Sequence, residues 1–117
     1  MSNLIYIASP YSSPIHAVRE DRAYQVAAFA AHCFNRGLIV YCPIASWHWV
    51  AQEHSLPTDA KAYERLNFQF SRAAQETYIL KLDGWEESKG VMQELIWAKL
   101  FNHTIRYFDG DNFAEVL

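Results

Sequence analysis

Short apolar runs that alternate with longer amphipathic stretches limit this chain to few architectures. Leu4-Ile5-Tyr6-Ile7-Ala8 is a short apolar run of the kind expected of a buried parallel strand, and Leu38-Ile39-Val40-Tyr41, Tyr78-Ile79-Leu80-Lys81-Leu82 and Thr104 to Phe108 read as three further strands. The first run ends at Ser9-Pro10. After Pro14 comes a long helix in which Ala23, Ala27, Ala30 and Phe34 recur, with Val26 and Cys33 widening the stripe. Asn35-Arg36-Gly37 stops it with a glycine. Thr58-Asp59 starts a second helix through Tyr63, Leu66, Phe70 and Ala74, and Ser88 opens a third carrying Val91, Leu95 and Ala98. The stretch from Ile44 to Pro57 carries Trp47, His48, Trp49 and His54 and fits either a short helix or an ordered loop. Asp109-Gly110-Asp111 begins a short tail.

Strands alternating with helices mean a parallel sheet with right-handed crossovers. The expectation is one α/β domain over residues 1–117, a sheet of about four strands flanked by helices, Rossmann- or flavodoxin-like. Such folds bind ligands beyond the carboxyl ends of the strands, where the strand order reverses. Ser9–Ser13, Pro43–His48 and Asp83–Glu94 should therefore converge.

Charge narrows the partners. Ten Lys and Arg stand against 13 Asp and Glu, for a formal charge of −3, and the basic residues form no cluster. A nucleic-acid backbone or an anionic membrane is thus an unfavourable partner, while a small anion held by a few placed groups is compatible. No apolar run approaches a membrane span and no charged leader precedes one, so the expected compartment is the cytoplasm. Cys33 and Cys42 read as free buried thiols. His32, His48, His54 and His103 lack metal-ligand spacing, and no metal is expected.

Several residues could carry chemistry, each with a plainer alternative. Ser88-Lys89-Gly90 opens a helix directly after a strand, where free N–H groups favour an anion and Gly90 allows close approach; an ordinary Ser N-cap explains the same residues. Glu94 falls on the apolar side of that helix, where an unpaired carboxylate is costly; it is either a functional acid or a solvated edge residue. Arg19-Glu20-Asp21-Arg22 is either a solvated face or a source of phosphate ligands. Trp47 and Trp85 could stack on a base or simply fill core. No Gly-x-Ser-x-Gly elbow accompanies Ser9, Ser12 and Ser13, and neither the dinucleotide fingerprint nor the Walker loop is present.

Two stretches, Leu4-Ile5-Tyr6-Ile7-Ala8-Ser9-Pro10-Tyr11-Ser12 and Asp83-Gly84-Trp85-Glu86-Glu87-Ser88-Lys89-Gly90-Val91 running to Glu94, resemble a family of short bacterial and phage proteins. That family is related to the nucleoside 2-deoxyribosyltransferases and the 2′-deoxynucleoside 5′-monophosphate N-hydrolases. Pro43-Ile44-Ala45 and Leu56-Pro57-Thr58-Asp59 fit the same pattern.

The resemblance implies an enzyme acting on the N-glycosidic bond of a nucleoside or its 5′-monophosphate. It makes Glu94 the nucleophile toward C1′ and Tyr6 the residue that orients it. Ser88 would bind a 5′-phosphate, with Arg19 and Arg22 from the first helix. Ser9, Pro10, Ser12, Trp47, His48, Asp83, Trp85 and Gly90 complete the expected substrate-binding set. No cofactor is implied, and a homo-oligomer is. Asn67 stands where the superfamily usually has an aspartate that helps the leaving base, and an amide cannot deliver a proton as an acid can. Asp59 and Glu64 are the nearest substitutes. The other readings are a nucleotide-binding module without turnover and a protein that processes NAD or a signal nucleotide.

Overall fold

The computed structural model describes residues 3–116. Four strands, β1 (Leu4–Ala8), β2 (Ile39–Tyr41), β3 (Glu76–Lys81) and β4 (Thr104–Asp109), form one sheet in the order β2-β1-β3-β4. Every pair is parallel. Five helices connect and flank them: α1 (His16–Asn35), α2 (Pro43–His54), α3 (Glu64–Ala73), α4 (Lys89–Leu100) and α5 (Phe113–Val116). The expected α/β architecture is the one observed. Among the described residues, no helix is long and apolar enough to cross a membrane.

Strand parity divides the core into two layers. Ile5 and Ile7 of β1 join Tyr78 and Leu80 of β3 in a cluster closed by Val26, Phe29 and Cys33 of α1. Tyr6 and Ala8, pointing the other way, join Ile79 and are closed by Val91 and Leu95 of α4. The chain crosses from one face to the other between β1 and β3, the switch point beside which such folds open their clefts.

Four local features differ from the sequence reading. The buried row of α1 is Ala23, Val26, Phe29 and Cys33, while Phe34 is 74% exposed. An alanine-rich helix satisfies either row, and contact with the sheet selected the one bearing Phe29. The ambiguous 44–57 stretch is mostly helix: Pro43 starts α2 at a position that needs no N–H, and Ser55 ends it in the left-handed region at φ 56°. After Thr58-Asp59 comes a 3-10 turn, Ala60–Tyr63, before α3 begins at Glu64. The tail is docked: Phe113 packs edge-on against Phe29, with ring centroids 5.0 Å apart. Gly37 ends α1 as expected, at φ 80°, with the Leu38 amide donating to the Cys33 carbonyl at 3.1 Å and the Gly37 amide to Phe34 at 3.0 Å.

Candidate active site

A cleft of about 380 Å³ opens at the carboxyl edge of the sheet. The loop after β1 supplies Ser9, Tyr11 and Ser12; α2 supplies Pro43, Trp47 and His48; α4 and its cap supply Ser88, Gly90 and Glu94. All three segments expected to converge reach the cleft. A fourth wall, Thr58 to Asn67, was not foreseen as a unit, although Asp59, Glu64 and Asn67 within it were singled out.

Glu94 occupies the junction of sheet and cleft. Parity aims Tyr6 at α4, and its hydroxyl donates to Glu94 Oε2 at 2.6 Å, the short end for such a bond. The residue as a whole is half-buried, its carboxyl being the enclosed part. Burial pushes that carboxyl up to about 8, against the opposing pull of the Tyr6 hydrogen bond. Tyr6 is itself fully buried, and burial first, then the Glu94 charge, raises its phenol well above the ordinary value. Tyr6 therefore remains a donor. The glutamate on the apolar side of α4 has both a partner and an opening onto the cleft.

Polar groups around it are placed but unsatisfied. Ser9 Oγ and Asn67 Oδ1 are buried cleft atoms without a hydrogen-bond partner among the described residues. Buried polar atoms are ordinarily paired, so these two suit a polar ligand. Ser88 Oγ accepts from the Val91 amide at 3.2 Å and is thus an N-cap while it lines the cleft. Lys89 and Lys61 also line it and bring positive charge to the cleft. Tyr41 stacks on Phe70 with centroids 3.9 Å apart, bracing α3 against β2.

Other expected residues lie elsewhere. Arg22 donates to the Ser12 carbonyl at 3.0 Å and the Asp83 carbonyl at 3.1 Å, tying the loop after β1 to the loop after β3. Gly84 makes room for it, since a Cβ there would come within 3.2 Å of the guanidinium, and its φ of 85° suits glycine. Arg19 donates to the Ser13 carbonyl and sits beside Tyr11. Both arginines brace loops of the cleft while lying outside its lining themselves. The Asp83 contribution is its carbonyl, Pro10 is buried, and Trp85 packs on the α4-side core and on Tyr107, with centroids 5.8 Å apart.

One array escaped the sequence reading. The buried His48 ring bonds Tyr11 Oη through Nδ1 at 2.7 Å and Glu20 Oε2 through Nε2 at 3.0 Å. Its three members come from a loop and two helices, so no local spacing announces it. Among the described residues, no group of three or more His, Cys, Asp and Glu side chains is arranged to hold a metal ion.

Fold and site define an all-parallel α/β domain with a carboxylate-bearing cleft at the carboxyl edge of its sheet. The chain belongs to the family described as Domain of unknown function (DUF1937), whose family model matches residues 3–108. No curated protein matches it.

Proposed function

We propose that this protein cleaves or transfers at the N-glycosidic bond of a (deoxy)nucleoside or its 5′-monophosphate. The observation that carries this reading is the Tyr6–Glu94 pair at 2.6 Å, which holds a carboxyl where a cleft meets the sheet. Breaking the C1′–N bond develops oxocarbenium character at C1′. The ionised fraction of Glu94, a minority below about pH 8, attacks C1′, the bonding pair leaves with the base nitrogen, and a glycosyl ester forms. Water then releases the sugar, or a second base takes it. Lys89, Lys61 and the amino end of α4 favour a phosphate-bearing substrate and so the hydrolase. The reading places the protein in cytoplasmic nucleotide metabolism with no cofactor. It includes a homo-oligomer, for which Met92, Ile96 and Leu100 offer an apolar row on α4, the last two 60% and 63% exposed.

The experiment is incubation with a panel of nucleosides and 5′-monophosphates, with and without an acceptor base. Free base supports the hydrolase, and base exchange the transferase. One observation favours a second reading, a nucleotide-binding module: Asn67 presents an amide where an acid would assist the leaving base. Saturable binding with no product from any substrate would establish that module.

A further inference from the structure

We infer that Tyr11, His48 and Glu20 form a proton relay that protonates the departing base from the side of the cleft away from Glu94. This rests on the N-glycosidase reading and supplies the acid that Asn67 cannot. Geometry comes first. His48 lies on α2, which packs against α1 on one face of the sheet, while Glu94 lies on α4, packed on the other. Both open on the same cleft. The imidazole is 4% exposed with both nitrogens engaged, and the Tyr11 ring meets it edge-on at 5.5 Å.

The partners fix the direction of the bonds. The hydrogen bond from His48 holds the Glu20 carboxyl below its usual range, so Glu20 is an acceptor and Nε2 carries a proton. With the ring neutral, Nδ1 is bare and accepts the Tyr11 O–H; the phenol then shows the cleft only lone pairs. Once the ring holds a second proton, Nδ1–H donates to Tyr11 Oη instead, and the Tyr11 O–H turns to the ligand. Proton transfer from Tyr11 to the base nitrogen, with Nδ1–H passing to Tyr11 Oη, leaves neutral histidine, neutral phenol and neutral base. No phenolate forms. Burial raises the Tyr11 phenol, with Arg19 opposing and Tyr63 and Glu20 reinforcing, which keeps the hydroxyl intact. Glu20, which also meets His16 at 3.6 Å, acts through the ring as a positioning residue.

The test compares two leaving groups on one sugar: a natural base that needs a proton, and 4-nitrophenolate, which does not. Tyr11→Phe should cut release of the natural base by roughly 10²–10⁴-fold, the usual worth of general acid assistance, and nitrophenolate release far less. His48→Gln should show the same asymmetry. If His48→Gln does not fold, the conservative Tyr11→Phe decides alone. Equal losses on both substrates, or no loss, overturn the relay and leave the N-glycosidase reading standing. A wild type that releases base from no substrate overturns both.

Discussion

The Tyr6 hydroxyl and the Glu94 carboxyl meet at 2.6 Å across the boundary between sheet and helix, a strand residue holding a helix residue at the cleft. The pair acts with opposite sign on its two members. Tyr6 stabilises the Glu94 carboxylate, while that carboxylate disfavours a phenolate on Tyr6.

Glu94→Gln keeps shape and a carbonyl acceptor for Tyr6 but removes the charge. Base release should fall well beyond tenfold, about 1.4 kcal/mol of barrier, with ligand affinity nearly unchanged. Steady-state kinetics beside direct binding measurements check this. Activity within tenfold of wild type would remove Glu94 from the nucleophile role.

Stability should fall as pH rises. A carboxyl whose folded value is about 8, against an ordinary 4.5, holds its proton in the native state after the unfolded chain has lost it. Its contribution is complete below about 4.5 and is lost progressively up to about 8. With the cleft-facing part discounted for solvent, the loss is roughly 2–4 kcal/mol. Denaturant melts of Glu94→Gln should show a flatter pH profile and greater stability than wild type at pH 8–9. Parallel profiles would show that Glu94 is solvated.

Monophosphates should bind more tightly than matching nucleosides by roughly 1.5–3 kcal/mol, about ten- to a hundredfold in Kd. Ser88→Ala and Lys89→Ala should each narrow that gap, as titration calorimetry would show. Equal wild-type affinities leave Ser88 a cap only.

Asn67→Asp separates two sources of the leaving-group proton. If the cleft lacks an acid, the substitution should raise turnover, most for poor leaving groups, toward the roughly 10²–10⁴-fold that an acid provides. If the Tyr11 relay already serves, it should leave turnover flat or lower it, by adding a second carboxyl to the cleft that holds Glu94. Rates across a series of bases decide between them.

Phe29→Ala tests the other core layer. Its ring lies 5.2 Å from Phe108 and 5.0 Å from Phe113, so truncation should cost about 3–5 kcal/mol and loosen α5. Thermal melts with hydrogen exchange at the C-terminal residues measure both effects.

The strands were legible because apolar runs are local signals, whereas which layer each side chain joins became visible only with the sheet in place. Glu94 was legible as a carboxylate on the wrong side of a helix. Phe34 was misplaced because alanines leave two rows of α1 equally apolar, and only packing chooses. The Thr58–Asn67 wall was legible residue by residue, not as a surface, since a 3-10 turn precedes α3. The Tyr11–His48–Glu20 array joins three separate segments and has no sequence period.

Arg22 has a thermodynamic consequence. By holding the Ser12 and Asp83 carbonyls together, it makes two loops fluctuate as one body. A ligand entering the cleft then finds that freedom already spent. With Arg22 replaced by a shorter residue, every contact to the ligand could survive while binding acquired a less favourable entropy, because the loops would be ordered at the moment of capture.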